Sequence, residues 1–151
     1  LWILIGAYCF TSAYHAMGAP ELIHNMMQYI PGGRWGTIIF IQIIIFFLAM
    51  VLDPVGIMML TIPVFLPIVK TLGFDPLWFG ILFVINMEIG YMTPPFGFNL
   101  FYLKGIVPPS ITMADIYRSV FPFVIVETTG LALVMLFPQI ALWLPNILFG
   151  G

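Results

Sequence analysis

Asn86-Met87-Glu88-Ile89-Gly90-Tyr91-Met92-Thr93-Pro94-Pro95-Phe96-Gly97-Phe98-Asn99 is the stretch whose reading decides the fold. On either side the chain is apolar: 77–89 apart from Asn86 and Glu88, and 98–107 apart from Asn99 and Lys104. The centre, 90–97, is not expected to be a regular helix. Adjacent prolines have no N–H groups, so a helix through them would leave the carbonyls of Gly90 and Tyr91 without partners. The segment 77–107 is 31 residues long, enough to cross a bilayer with a broken centre. At that depth, broken backbone is tolerated only where it is buried in protein or lines a cavity. The freed carbonyls and the Thr93 hydroxyl suit a small hard cation such as Na+, and the N–H groups opening the next half-helix suit an anion. The plainer alternative is a proline kink without a ligand, although kinks usually come from one proline.

Composition supports a membrane setting. Of 151 residues, 62 % are hydrophobic and 7 % charged, with a mean hydropathy of +1.14. A typical soluble domain is about 25 % charged. This excludes a soluble enzyme and a disordered tail, and four Lys+Arg make no basic patch for nucleic acid. An integral membrane protein in a lipid bilayer remains. The 14 glycines and 13 prolines are many for simple packed spans. Cys9, the single cysteine, excludes an internal disulfide and a cysteine-based metal site.

A second interruption precedes the first. Residues 35–52 are an uncharged apolar run flanked by Arg34; Asp53-Pro54 interrupts it, and 55–69 follows, carrying Pro63 and Pro67 and closed by Lys70. Asp is a good N-cap and Pro a good first helical residue, so a helix starts at Asp53. Both runs are short of the roughly 20 residues of a full crossing. The expectation is a re-entrant hairpin over 35–73 with its tip at 52–54. A surface loop between two short full spans is the alternative. The discontinuous helix, 74–107, broken at 90–97, follows.

Residues 1–34 read as the end of a transmembrane helix, stopped by Gly18-Ala19-Pro20, and a short interfacial helix over 21–30. The chain begins at Leu1 inside an apolar run and is expected to be the C-terminal part of a larger polytopic protein. Residues 108–151 read as a turn, a capping-box start at Thr112-x-x-Asp115, and a final span from Ser119 to about Leu144. That span carries Pro122, Gly130, Pro138 and an intramembrane acid, Glu127, a candidate proton or cation site or simply a hydrogen-bonded carboxyl. Trp35, Trp78 and Trp143 are expected near one membrane surface and Trp2 near the other. Arg34 and Lys70 fall on one face, Lys104 and Arg118 on the other, so charge gives no orientation. His15 and His24 lack metal-ligand spacing and read as structural or interfacial.

At this point the motifs resemble a known family. Leu52-Asp53-Pro54, Pro63-x-x-x-Pro67, Gly73-Phe74-Asp75-Pro76-x-Trp78-Phe79-Gly80, the broken stretch up to Asn99-Leu100-Phe101, Asp115-Ile116-Tyr117-Arg118 and the terminal Leu142-Trp143-Leu144-Pro145 resemble the large membrane (permease) subunit of TRAP transporters. The resemblance covers nearly the whole chain. It implies an all-α polytopic membrane protein: one inverted repeat of an elevator-type transporter, with a re-entrant helical hairpin and a broken transmembrane helix, plus a closing helix. It implies import of small organic acids driven by a Na+ gradient across the bacterial inner membrane. The implied partners are the first half of the large subunit, a small membrane subunit and a periplasmic substrate-binding protein. No cofactor is implied beyond Na+ as coupling ion. Carried over by position, Asp53, Gly90, Thr93 and Pro95 are the candidate cation residues, and Asn86, Pro94, Gly97 and Asn99 the candidate substrate residues. Lys104 and Arg118 would face the cytoplasm. The first repeat is absent from the chain, which alone is not expected to transport.

Two other classes compete. One is a binding-protein-independent anion permease of the ion-transporter superfamily, or a non-transporting truncated fragment. The other is an intramembrane aspartyl protease using Asp53. That chemistry needs two facing carboxylates, and no matching motif surrounds Glu88 or Glu127.

Overall fold

The structure is a computed structural model and describes residues 2–18, 21, 25, 31–94 and 97–149. Among them are seven helices and no strand: α1 (Trp2–Ala16), α2 (Gly33–Ala49), α3 (Pro54–Thr71), α4 (Pro76–Met92), α5 (Phe98–Ile106), α6 (Met113–Leu136) and α7 (Gln139–Phe149). Most of the expected interfacial helix, with His24, lies outside the described residues.

Each helix start has a local cause. The Asp53 side chain accepts from the Gly56 N–H at 3.0 Å, with Pro54 in the first turn of α3. Asp75 accepts from Leu77 and Trp78 N–H at 2.7 and 3.2 Å, ahead of Pro76. Thr112 and Asp115 form a reciprocal capping box on α6. These contacts satisfy N–H groups that no carbonyl within the helix can reach. Between α3 and α4, Gly73 adopts φ +76 and donates to the Lys70 carbonyl, and Phe74 donates to that of Val69. This Schellman closure turns the chain directly into the Asp75 cap. Asp75→Ala is expected to cost about 1 kcal/mol of stability, with Asp75→Ser largely neutral. Thermal unfolding of the purified transporter checks both.

α2 and α3 form a helical hairpin. The chain turns at 50–53, and the two ends opposite that turn meet where Trp35 and Phe74 pack edge to face, their centroids 5.1 Å apart. Arg34 lies over the same Phe74 ring. α4 is the hub of the molecule and touches α2, α3, α5, α6 and α7, while α1 packs on α3. Its buried face includes Trp78, Leu82, Phe83, Asn86, Met87 and Gly90. The matching face of α2 is Ile38, Ile41, Gln42, Ile45 and Ala49, repeating at helical spacing. Trp35 meets Trp78, Gln42 meets Asn86, and Ala49 meets Gly90. α2 and α4 therefore run parallel, and their C-terminal ends arrive together.

Two sequence expectations change in detail. The helix expected to fail from Gly90 continues through Met92 and stops at Thr93, which is extended at φ −104, ψ 137. The residue before a proline avoids helical backbone, so Thr93 ahead of Pro94 sets the stop. The single span of 119–144 is two helices for the same reason: Phe137 (φ −122, ψ 77) precedes Pro138 and ends α6, and α7 follows. Trp78 is 1 % exposed, and its indole N–H donates to the Val134 carbonyl of α6 at 2.8 Å. Two helices, α3 and α6, are long and apolar enough to cross a membrane. Only Ile116 and Val134 of α6 are buried among the described residues, which leaves Phe121, Phe123, Val126 and Leu136 exposed.

Candidate functional site

The two interruptions read from sequence meet in space. Gly90, in the last turn of α4, lies against the end of α2. A Cβ placed on Gly90 would sit 2.4 Å from the Cβ of Ala49 and 3.2 Å from the Phe46 carbonyl oxygen. Glycine is required here by contact rather than by backbone angle, since nothing larger admits the approach. Asp53, at the head of α3, is within electrostatic reach of Tyr91, as is Glu88. Tyr91 is buried, stacks edge to face on Phe98 across the break, and its hydroxyl has no hydrogen-bond partner among the described residues. Four helix ends thus converge: the C-termini of α2 and α4 and the N-termini of α3 and α5.

The helix ends bring both signs to this junction: each C-terminus carries roughly half a negative charge and each N-terminus roughly half a positive one, so two of each offset and the side chains decide the balance. Asp53 and Glu88 add carboxylates, and Glu127 on α6 lies within electrostatic reach of Glu88. One carboxylate oxygen of Glu127 is buried without a hydrogen-bond partner among the described residues. The carbonyls are partly engaged: that of Gly90 accepts the Thr93 N–H at 3.1 Å. The Thr93 hydroxyl donates to the Ile89 carbonyl at 2.6 Å, which leaves its oxygen lone pairs for another partner. Among the described residues no three His, Cys, Asp or Glu side chains come together as a metal site.

All the predicted residues but Pro95 fall among the described residues. Asp53 is exposed at the hairpin tip and caps α3. Gly90 is buried at the junction and Thr93 is half-buried beside it. Thr93 lies between two cavities, one of about 380 Å³ shared with Gln42, Asn86 and Thr128, and one of about 580 Å³ shared with Pro94, Tyr117 and Arg118. Pro94 is exposed, and Pro95 lies outside the described residues. Gly97 caps α5 at φ +54, a left-handed angle that favours glycine. Asn99 donates to the Glu88 carboxylate at 2.7 Å and so ties the two sides of the break together.

Asn86 lines a cavity with Thr93, but its amide is held by the neighbouring helix. It is 3 % exposed, and its Nδ2 donates to both the backbone carbonyl and the side-chain Oε1 of Gln42, at 2.6 and 2.7 Å. Both amide hydrogens are spent, so Asn86 has none for a substrate oxygen in this arrangement. Gln42 is the residue that the motifs pass over, and Tyr91, expected there for its carbonyl, also brings a buried ring and hydroxyl. A signal existed for Gln42: with Thr37, it supplies the polar side chains of an otherwise apolar run, and a polar group at that depth needs a partner.

Among the described residues the chain is all-helical, with two helices long and apolar enough to cross a membrane, which is consistent with a helical membrane protein. The family model "Tripartite ATP-independent periplasmic transporter, DctM component" matches residues 1–140. The chain belongs to that family. It is similar to the C4-dicarboxylate TRAP transporter large permease protein of Rhodobacter capsulatus, with 32 % identity over 98 % of this chain and 33 % of that protein. It is also similar to the ectoine TRAP transporter large permease protein of Halomonas elongata, with 33 % identity over 86 % of this chain and 30 % of that protein. The sialic acid TRAP transporter permease protein of Haemophilus influenzae is 32 % identical over 74 % of this chain and 18 % of its own length. The chain thus spans about a third or less of these relatives.

Proposed function

We propose that this chain is the cation-coupled, C-terminal part of a large permease subunit that imports small organic acids on a Na+ gradient. The observation that carries the proposal is the close approach of Gly90, in the last turn of α4, to Ala49, the last residue of α2, each just ahead of a chain break. The carbonyl ends of α2 and α4, the Asp53 carboxylate and the Thr93 hydroxyl oxygen offer negatively polarised oxygens to a cation, beside the positively polarised N-termini of α3 and α5. The available ligands are hard oxygens, the preference of Na+ over softer metals. Backbone carbonyls at broken helices, with the opposing N-termini left for an anion, are the arrangement of secondary transporters. Asp53, Gly90, Thr93 and Pro95 form the cation group. Pro94, Gly97 and Asn99, at the head of α5, form the substrate side, and Asn86 contributes by position alone.

In this reading α2 and α3 are a re-entrant hairpin, and α4 with α5 is the discontinuous helix of one inverted repeat in an elevator-type fold. The other repeat belongs to the first half of the large subunit. A small membrane subunit and a periplasmic binding protein complete the machine in the bacterial inner membrane. Relatives named for C4-dicarboxylate and for sialic acid support an organic acid as cargo.

The test is solute uptake by the complete transporter under an inward Na+ gradient, with Thr93→Ala and Pro95→Leu. Both variants are expected to lower uptake several-fold and to demand more Na+ for half-maximal rate. Unchanged uptake and unchanged Na+ dependence in both, at equal expression, would sink the assignment.

A further inference from the structure

We propose that Gln42 and Asn86 are positioning residues that set the register of the two helix ends at the cation locus, an inference that rests on the cation reading above. The geometry leaves little freedom. Asn86 faces two acceptors at once, the Gln42 carbonyl oxygen and Gln42 Oε1. A backbone carbonyl only accepts, so the Asn86 atom opposite it must be the nitrogen. That in turn fixes the Gln42 side chain with Oε1 toward Asn86 and Nε2 away. Gln42 Nε2 is buried and finds no acceptor among the described residues.

The orphaned N–H argues against a purely stabilising role. A buried donor without an acceptor is costly, and two apolar side chains would close the same α2–α4 contact without that cost. A double hydrogen bond holds at one offset and so adds to the axial register that the Trp35–Trp78 and Ala49–Gly90 contacts set at either end. Asn86 lies about one helical turn before Gly90, and Gln42 about two turns before Ala49. A slip of one residue along either helix moves its end by ~1.5 Å. Hard cations distinguish ligand distances of a few tenths of an ångström, so such a slip would undo the site. The bond is buried on the wall of the cavity that Thr93 also lines, and its amide hydrogens are committed between the two helices.

Gln42→Met is the informative variant. It keeps length and burial, retains the backbone bond from Asn86, and removes the Oε1 acceptor. Asn86→Leu removes both bonds and is the more severe companion. Both are read in the complete transporter by two measurements: the Na+ concentration for half-maximal uptake, and the midpoint of Na+-induced thermal stabilisation in detergent against K+. Gln42→Met is expected to raise both midpoints about fivefold, while uptake at saturating Na+ stays within twofold of wild type. Asn86→Leu is expected to raise the stabilisation midpoint further, whatever its uptake. Lowered maximal uptake or thermal stability with unmoved Na+ midpoints would show a structural role only and overturn the inference. A wild-type transporter with no Na+ response would remove the cation reading and this inference together. A Na+-responsive wild type with unmoved variants would remove this inference alone.

Discussion

Gly90→Ala is expected to reduce Na+-driven uptake by the intact transporter at least tenfold, and Gly90→Val to abolish it. The added Cβ would stand 2.4 Å from the Ala49 Cβ, against a comfortable separation of about 3.5–4.0 Å. The ends of α2 and α4 must part by about an ångström to admit it. Overpacking of this kind costs about 1–3 kcal/mol, and the displacement falls on the proposed cation ligands. Ala49→Gly combined with Gly90→Ala moves the methyl from one helix to the other and should recover much of the lost uptake. The Phe46 carbonyl, 3.2 Å from the same Cβ position, keeps the recovery partial. The pair must be measured as a double-mutant cycle, since contacting residues do not add. Wild-type uptake and thermal stability in Gly90→Ala would mean that the two breaks do not meet closely.

The second large effect is on stability. Trp78→Ala is expected to cost about 3–5 kcal/mol, the range for removing a fully buried aromatic ring. Trp78 stacks on Phe74 at 5.1 Å, meets Trp35 edge to face at 6.1 Å, and bonds the Val134 carbonyl. It ties the hairpin base, the hub helix and α6 at the end opposite the cation locus. Trp78→Phe keeps most of the packing and loses the N–H, for about 1–2 kcal/mol. Denaturant or thermal unfolding of the purified transporter checks the order. A loss under 1 kcal/mol for Trp78→Ala would show that α6 is held elsewhere.

The starts of α3, α4 and α6 were legible in the sequence because capping is local chemistry. Asp53-Pro54, Asp75-Pro76 and Thr112-x-x-Asp115 each place an acceptor within three residues of the N–H it serves. Helix ends were less legible. Glycine at position 90 reads as a breaker on propensity, yet the helix runs on to Met92, where packing against Ala49 decides the matter. The residues before Pro94 and Pro138 set the true stops. Family motifs point to the hairpin tip and to the break, and the structure brings the two together.

The Gln42–Asn86 bond was out of reach because its partners are 44 residues apart and meet only if α2 and α4 run parallel in one register. Spacing along the chain carries no such information. In the motif Asn86 reads as a ligand residue beside Glu88 and Thr93, and it does line a cavity with Thr93. In three dimensions it faces the opposite helix, and its hydrogens are already committed.

Direct binding of radiolabelled Na+ to the purified complete transporter tests the central claim, that the hairpin tip and the helix break form one coupling-cation locus. The account predicts saturable binding in the wild type, weakened in Thr93→Ala and lost in Gly90→Val at matched folding. A binding curve identical in all three would contradict it.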